Sequence, residues 1–571
     1  MLRFLLARLF QALVTLLLAS FVVFTLARLS GNPADMLLPV EATPAERELY
    51  VKRLGLDQPL AQQYWVYLRS MASGDFGVSL RNKRPVSELV GDRLVNSVQL
   101  ASVAMLFTLV LSVPLGVVAA VHRGRLWDRI AMAIALLGQS LPSFWSGIVV
   151  ILIFSVILKW LPTSGLGDWR HYVLPAVTMG WFTSAAVVRL LRSGMLDVLD
   201  SPRLHVRRHD RSVGEHGSGL QLAGARKARV RGTALSRLPP PAVHGAAVHR
   251  HHRAHQLPRG RSVPRPRSAR SGVTMGSATS PIFVTRLFAR WTAWLTLLDR
   301  APKLPTAIVA LTVFAAACAP LLAPHDPIEA NLQVREKPPA VLRDGSATYV
   351  LGTDRQGRDI FSRVLFGART SLSVAALAVL FGGLLGTTLG LLAGYLGTWV
   401  DALIMRWVDI TLSFPSVLLA FVFAVTVGPS FGVVVCVLAL FLWAQYARLV
   451  RGEIIALKQR DFVALARVAG CSSRRIMFVH LLPNVMNSIV VLSTLQIGWA
   501  IVVEASLSFL GAGIPPPTPT WGSMVAEGRN YIDSLWWMSV MPGVVIMLVV
   551  LSFNLFGDWL RDVLDPKLRQ L

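Results

Sequence analysis

The sequence is poor in charge, in acidic residues and in cysteine. Only 15% of its 571 residues are charged, against about 25% in ordinary soluble domains, and 53% are hydrophobic. Asp and Glu number 31 against 57 Lys and Arg, which gives a net charge of +26. The three cysteines, Cys318, Cys436 and Cys471, are scattered, which excludes a disulfide framework and zinc-ligand spacing. No G-x4-G-K-[ST] phosphate loop occurs, so the chain supplies no ATPase site of that type.

Long uncharged runs indicate the fold class. A membrane-spanning helix needs about 20 apolar residues, and most of the uncharged runs reach that length. One run is too long for a single span, and Val427-Gly428-Pro429-Ser430 divides it into a hairpin. The sequence therefore predicts an all-α polytopic membrane protein with ten transmembrane helices, four before residue 200 and six after residue 300. The uncharged runs are 9–27, 94–121, 130–158, 172–188, 304–324, 370–400, 410–447, 484–503 and 534–557.

The first run, 9–27, has a longer apolar core than a cleaved signal peptide and no small-x-small site after it, so we expect it to be retained as a span. Basic residues in short cytoplasmic loops set the orientation of membrane proteins. Here they fall on one side if both halves begin in the cytoplasm, which predicts cytoplasmic N- and C-termini. These residues are Arg123, Arg125, Arg129, Arg189, Arg192, Lys303, Arg448, Arg451, Lys458, Arg460, Arg467, Arg474 and Arg475.

The two halves of the chain resemble each other. Each opens with one span, a long external loop and then a cluster of spans. The stretch from Arg189 to Asp200, with arginines at 189 and 192, aligns with the stretch from Arg448 to Gln459, with arginines at 448 and 451. Both stretches follow the fourth span of their half. We interpret residues 1–200 as a truncated first permease-like unit and 304–571 as a complete second one.

A basic segment, 201–274, separates the halves and is followed by a lead-in at 275–303. Residues 201–270 hold 15 Arg, one Lys and eight His against only Asp210 and Glu215, and lack Phe, Trp, Tyr, Ile and Met. The segment cannot form a core and is predicted to be disordered. A frame-shifted translation is the favoured interpretation, with a genuine basic linker as the alternative. Missing aromatic residues disfavour nucleic-acid binding, and the His249, His251, His252 and His255 cluster lacks the acids or cysteines of a metal site.

Residues 459–483 form a basic amphipathic segment between two apolar runs. Ala466 and Gly470 are four apart and so are expected on one helix face, where small residues permit close approach to a partner. Pro483 is expected to end this helix before the next span. Arg467, Arg474 and Arg475 suit acidic groups of a partner or lipid phosphates. A segment of this kind predicts a soluble partner for a membrane protein.

This segment resembles the EAA loop of ABC-transporter permeases. Ala464, Leu465 and Ala466, then Gly470, then Leu482 and Pro483 follow that pattern, although its glutamate, first alanine and isoleucine are replaced. Other motifs resemble the peptide/nickel importer class, and together the resemblance covers about 85% of the chain. These motifs are 351–359, 367–372, 504–511 and 517–522 in the second half, and 74–80, 84–86 and 93–97 in the first, which resembles the companion subunit.

The resemblance implies a permease, not an enzyme, in the bacterial cytoplasmic (inner) membrane, which imports peptides or related solutes such as nickel chelates. It implies two cytosolic ABC ATPase subunits as partners, which use the ATP, so that this chain itself binds no cofactor and no metal. It also implies an extracytoplasmic solute-binding protein and contact with membrane lipid, and no nucleic acid is expected. Residues 464–466, Gly470, Leu482 and Pro483 would couple ATP hydrolysis to alternating access.

Two further questions stay open at the level of the sequence. Glu504 is an acid within an apolar span, and it either lines the translocation pathway or makes a contact between helices. The first half lacks its own coupling loop and two spans, which suggests that the chain as written is inactive. An ATP-independent secondary transporter or channel is the main rival, and a membrane-tethered nucleic-acid-binding protein acting through 201–270 is a minor one.

Overall fold

The computed structural model describes residues 2–29, 43–53, 55–79, 82–200, 301–342 and 344–564. The described residues up to 198 and from 301 onward belong to one compact unit. The basic segment predicted at 201–274 and nearly all of the lead-in 275–303 lie outside the described residues. Within the described ranges there is no β-strand, only isolated bridges between Val78 and Pro85 and between Thr353 and Asp359.

The described part of the first half is helical. Its helices are α1 (Leu2–Leu29), α2 (Pro44–Arg53), α3 (Leu60–Ala72), α4 (Val86–Val121), α5 (Leu126–Ser140), α6 (Ser143–Ile151) and α7 (Arg170–Leu199). A π-helical turn, Leu152–Ile157, continues α6. Helices α1, α4 and α7, with the α6 segment, correspond to the four apolar runs predicted before residue 200.

The second half is helical as well. Its helices are α8 (Lys303–Ala317), α9 (Ile360–Leu396), α10 (Thr398–Ser413), α11 (Ser416–Val427), α12 (Phe431–Leu457), α13 (Asp461–Val468), α14 (Leu482–Phe509), α15 (Trp521–Gly528) and α16 (Trp537–Leu564). Short turns occur at Ala319–Leu322, Leu332–Val334, Ser473–Arg475 and Arg529–Tyr531, and a π-helical turn occurs at Ile476–Leu481.

Among the described residues, six helices are long and apolar enough to cross a membrane, or seven if one bent pair counts as a span. The six are Val86–Val121, Arg170–Leu199, Ile360–Leu396, Phe431–Leu457, Ser473–Phe509 and Trp537–Leu564. The all-α polytopic fold is thus confirmed, but three of the ten predicted spans are shorter apolar helices, Ala12–Thr25, Ser143–Ile157 and Lys303–Ala317. A 15-residue helix extends only about 22 Å, which is less than the roughly 30 Å hydrocarbon layer.

The long run 410–447 is broken where the sequence predicts and in one further place. Helix α11 ends at Val427 and α12 begins at Phe431, where the Ser430 side chain accepts a hydrogen bond from the Val433 backbone N–H at 3.3 Å. A second break at Phe414-Pro415 bends α10 against α11 by 84°. The sequence analysis missed this break, although Pro415 is the residue that precedes α11.

A row of glycines brings α9 against α12. Gly382, Gly386, Gly390 and Gly394 recur every four residues and so lie on one face of α9. A Cβ added at Gly386 would lie 2.2 Å from the carbonyl oxygen of Trp443 in α12, and one at Gly390 would lie 2.6 Å from that of Ala447. Small residues at such positions let helix backbones approach closely. We call this contact the glycine seam.

The two halves of the chain also pack against each other. Trp145 of α6 is buried against Gly543 of α16, so close that a Cβ at Gly543 would overlap the indole. Phe144 of the first half stacks on Phe509 of the second, with ring centroids 4.8 Å apart. The first and second permease-like units therefore share an interface within one chain.

Candidate functional site

Helix α13, within the predicted coupling segment, has one buried and one exposed face. Val463 and Ala466 are buried in the main hydrophobic cluster, which also contains Ile476 of the following π-helical turn. On the other face Leu465 is 67% exposed and Val468 is 87% exposed. An exposed apolar patch marks a site of interaction with a protein or a membrane. The predicted residue Ala464 is exposed on this face too.

Gly470 does not share a helix face with Ala466, contrary to the expectation from their spacing. Helix α13 ends at Val468, and Gly470 has a left-handed backbone (φ 76°) just beyond the helix. The N–H of Gly470 donates to the Arg467 carbonyl at 3.0 Å, and that of Cys471 donates to the Ala466 carbonyl at 3.0 Å. This pair of bonds is the Schellman motif that ends many helices at a glycine. Gly470 therefore turns the chain, and an added Cβ there would meet no atom within 4 Å.

Pro483 does not stop a helix, which corrects the second expectation for this segment. Helical structure continues from Ser473 to Phe509, through the π-helical turn Ile476–Leu481 and into α14. Proline is tolerated in the first turn of a helix because the N–H it lacks has no partner there in any case. Here Leu482 still donates to the carbonyl of Met477, five residues earlier, and Pro483 follows directly. Leu482 is half-buried and Pro483 is exposed.

Of the residues predicted to couple the chain to its partner, Ala464, Leu465, Gly470 and Pro483 are exposed, Leu482 is half-buried and Ala466 is buried. Arg467, Arg474 and Arg475 are exposed as well. We call Leu465, Val468 and these three arginines the coupling surface. The structure brings apolar contact area and positive charge together there, a combination suited to a protein partner that carries acidic groups.

An ion pair holds the helix that leads into the coupling surface. Arg451, six residues before the end of α12, pairs with Asp401 in the first turn of α10. Arg451 donates to both oxygens of the Asp401 carboxylate, from Nε to one and from Nη2 to the other at 2.7 Å. A two-point Arg–carboxylate contact fixes orientation as well as distance. The pair ties the hairpin α10–α12 together near the coupling surface.

The first half contains the same ion pair. Arg192 of α7 binds both oxygens of Asp128 in the first turn of α5, each at 2.8 Å. Hydrogen bonding to Arg192 lowers the pKa of the Asp128 carboxyl below its usual value. Arg192 and Arg451 are the second arginines of the two stretches aligned in the sequence analysis, so the internal repeat is present in three dimensions.

The acidic members of these pairs were missed from the sequence, although a signal for them exists. Asp128 lies four residues after Gly124, and Asp401 lies four residues after Gly397. Each glycine has a positive φ and precedes the helix that carries the aspartate. A glycine, an aspartate four residues later and an arginine 50 or 64 residues beyond that are therefore repeated in both halves.

Glu504 is buried near the end of α14 that is opposite the coupling surface. Its side chain is completely inaccessible, and its carboxylate accepts hydrogen bonds from Ser371 of α9 at 3.0 Å and from Ser508 at 2.8 Å. The Thr520 hydroxyl lies 3.4 Å from that of Ser508. The geometry matches the interpretation of a contact between helices, which was left open beside a role in the pathway.

A charged network lies at the same end of the bundle as Glu504. Arg358 and Arg363 each bind Asp354, at 2.6 Å, and each binds Glu527 at 2.8 Å. Asp354 and Arg363 are almost fully buried, whereas Glu527 is 31% exposed. The network joins the segment before α9 to α15. It accounts for Asp354 and Arg358 of the 351–359 motif as structural partners.

Family models match most of the chain. A model described as "Binding-protein-dependent transport system inner membrane component" matches residues 112–206 and again residues 386–570. A second model, for the N-terminal part of such components, matches residues 1–101. Two separate matches to one model confirm the tandem arrangement of permease units. The second match includes the coupling surface and Glu504.

Individual relatives cover about half of this chain. The di/tripeptide transport system permease protein DppC of Pseudomonas aeruginosa is 44% identical over 259 residues, which are 45% of this chain and 86% of the relative. The glutathione transport system permease protein GsiD of Pectobacterium atrosepticum is 46% identical over 39% of this chain and 74% of its own length. The probable D,D-dipeptide transport system permease protein DdpC of Escherichia coli is 39% identical over 51% of this chain and 96% of its own length. The chain therefore belongs to the family of inner-membrane permease components of binding-protein-dependent ABC transport systems.

Proposed function

We propose that this chain forms the membrane-spanning part of an ATP-driven importer for small peptides or glutathione-like solutes. Its relatives are named as transporters of dipeptides, tripeptides and glutathione, which favours these solutes over nickel chelates. The proposed orientation has both termini in the cytoplasm and the charged network on the extracytoplasmic side. Substrate would be delivered there by a separate binding protein.

The coupling surface carries this proposal. Leu465 and Val468 are exposed while Val463 and Ala466, on the same short helix, anchor it to the hydrophobic core. A rigidly anchored helix with an apolar outer face can transmit a push from a docked ATPase subunit into the transmembrane bundle. The connection is direct, since α14 continues from this segment to Glu504. ATP would be bound and hydrolysed by two partner subunits, and this chain would bind no cofactor.

The proposal gives the chain one coupling surface where a complete importer has two. In the described part of the first half, α7 carries Arg192 and ends at Leu199, and the sequence from 201 to 274 has neither an EAA-like pattern nor an apolar run long enough for a span. We therefore propose that one chain binds one ATPase subunit and is inactive by itself. Full solute-stimulated ATP turnover by single chains with their partners would refute the inactivity.

Replacing Leu465 by glutamate is expected to weaken binding of the ATPase subunit by about tenfold or more, because an interface core loses an apolar anchor and gains a charge. Leu332→Glu is the matched control, since Leu332 is exposed to a similar degree, 69% against 67%, at the opposite end of the bundle. Binding would be titrated with the chain in nanodiscs and with the ATPase subunits of its own transport system. Equal binding by both variants would contradict a docking role for α13.

A nucleotide test separates this function from a secondary transporter. The test uses proteoliposomes that contain all partners and an assembly restored to two coupling surfaces. Uptake of dipeptide is expected only when ATP is present on the side of the membrane that carries the ATPase subunits. Uptake that follows a proton or sodium gradient without ATP would instead support the secondary transporter.

Glu504 is proposed to reach the solute pathway when access alternates, even though hydroxyls of α9 and α14 surround it in this conformation. In an assembly with two coupling surfaces and with the three native cysteines replaced, Glu504→Cys is expected to react with a water-soluble maleimide once ATPase subunits and nucleotide are added. Leu332→Cys, at an exposed residue away from the coupling surface, is the positive control. Persistent protection of Cys at 504 in every nucleotide state would leave only the helix-contact role.

A further inference from the structure

A cleft of about 850 Å³ opens beside the charged network, at the end of the bundle opposite the coupling surface. It is bounded by residues 328–336 and 354–358 on one side and by 508–517 and 526–531 on the other. We call it the outer cleft. Its volume lies within the range of about 300–1,000 Å³ that is usual for small-molecule sites.

Some of the charges around the outer cleft are already neutralised. Asp354, Arg358, Arg363 and Glu527 bind one another at 2.6–2.8 Å, with two positive and two negative groups. These four groups pair with one another and stabilise the wall of the cleft. It leaves Arg335, Glu336, Arg355 and Arg529 as the other charged side chains on the lining.

Two of these arginines are held against aromatic rings. The guanidinium carbon of Arg355 lies 4.5 Å from the ring centroid of Tyr531, and that of Arg529 lies 5.1 Å from the ring centroid of Phe509. A guanidinium has five N–H donors in a fixed plane. Arg529 uses one of them on the Phe509 carbonyl, at 3.5 Å. Arg355 donates from Nη1 to the Tyr531 hydroxyl at 2.5 Å. The ring contacts and these hydrogen bonds orient both guanidinium groups, and each group keeps further N–H donors for a ligand.

Glu336 is the one acidic residue on the described lining of the outer cleft that lies outside the charged network, and its carboxylate accepts hydrogen bonds where the arginines donate them. Glu336 lies 3.5 Å from the Nε of Arg355, and both side chains are about half exposed, 41% and 53%. An exposed pair at this distance is weak and is easily exchanged for a better partner. The outer cleft thus presents oriented guanidinium donors next to a carboxylate that can accept from an ammonium group.

We propose that the outer cleft binds a free peptide by its termini, with Arg355 and Arg529 on the α-carboxylate and Glu336 on the α-ammonium. Planar guanidinium groups match a carboxylate in two-point contacts, and a small peptide with free ends carries one group of each charge. The identity of the solute class rests on the proposed function. The site would receive the solute on the permease itself, before it enters the transmembrane bundle.

The test measures binding of dialanine to the full chain in nanodiscs, without ATPase subunits or binding protein, by isothermal titration calorimetry. Binding is expected to be about tenfold weaker for dialanine amide, which lacks the carboxylate, because hydrogen bonds to a charged group are lost. Arg529→Gln should weaken dialanine binding by a similar factor and leave the binding of the amide nearly unchanged. Arg129→Gln, at an exposed arginine of α5 outside both the outer cleft and the coupling surface, is the matched control and should bind both ligands as the unchanged chain does.

Two results would overturn the proposal. One is the absence of dialanine binding, and the other is equal binding of dialanine and its amide by both the unchanged chain and Arg529→Gln. Thermal unfolding of each variant shows that the exposed substitutions leave the fold intact. The two proposals can fail separately. Loss of ATPase docking with retained dialanine binding would refute only the proposed function. Equal binding of dialanine and its amide with retained ATPase docking would refute only the proposed peptide site in the outer cleft.

Discussion

Replacing Gly386 by alanine is expected to lower the free energy of unfolding by about 1–3 kcal/mol, the usual range for overpacking a tightly packed interior. The added Cβ would lie 2.2 Å from the Trp443 carbonyl oxygen and 2.6 Å from the Tyr446 Cβ. Neither atom belongs to the flexible end of a side chain, so α9 and α12 must move apart. Because the glycine seam runs over about three turns of α9, a shift at one glycine also loosens its neighbours.

Gly383→Ala provides the matched control in the same helix. Its added Cβ would lie 3.5 Å from the Tyr446 ring, an ordinary van der Waals distance. Alanine is favoured over glycine by about 1 kcal/mol within a helix, so this variant should be as stable as the unchanged chain or slightly more stable. Unfolding in mixed micelles titrated with a denaturing detergent would measure both. If Gly386→Ala unfolds at the same point as Gly383→Ala, the close approach of α9 and α12 is wrong.

The second large effect is expected from the repeated ion pair. Asp401→Asn removes the charge partner of Arg451, and Asp128→Asn removes that of Arg192. Each pair is partly buried and makes a two-point contact, so each substitution should lower the free energy of unfolding by about 1–3 kcal/mol, between the values for exposed and buried pairs. The two variants should be destabilised to a similar extent, because the geometry is the same in both halves.

The two variants should differ in partner binding. Arg451 belongs to α12, which leads into the coupling surface, so Asp401→Asn is expected to weaken docking of the ATPase subunit. A loss of about 1 kcal/mol corresponds to about fivefold weaker binding. Asp128→Asn should leave that affinity unchanged, since the described coupling surface belongs to the second half. The double variant Asp401→Asn with Arg451→Gln should recover part of the lost stability. Equal loss of docking in both single variants would separate the ion pair from coupling.

Composition and periodicity were sufficient for the fold class, because a membrane span is specified by length and apolarity alone. They also located the break at Gly428-Pro429, where two helix-breaking residues stand together. The bend at Phe414-Pro415 was missed, since a single proline is compatible both with a kink inside a span and with a new helix. The packing of neighbouring helices decides between these, and that packing is tertiary.

The candidate site was predictable in place but not in shape. The spacing of Ala466 and Gly470 suggested one helix face, but a four-residue spacing means a shared face only while the helix continues. A glycine that follows a short amphipathic stretch can equally end the helix, and here it does. The outer cleft could not be predicted from the sequence for a different reason. Its walls come from segments about 170–190 residues apart, Glu336 and Arg355 on one side and Arg529 on the other.

The glycine seam has a consequence for how the protein is made. Helix α9 ends at Leu396 and its partner α12 ends at Leu457, about 60 residues later. At roughly 5–20 residues per second, the ribosome completes α12 between about 3 and 12 seconds after α9. During that interval lipid tails cover the glycine face of α9, and since they are as apolar as the helix that will replace them, the open face is not driven to aggregate. The two helices can therefore enter the membrane as separate, stable pieces and join afterwards, so that assembly of the seam is a lateral event within the bilayer.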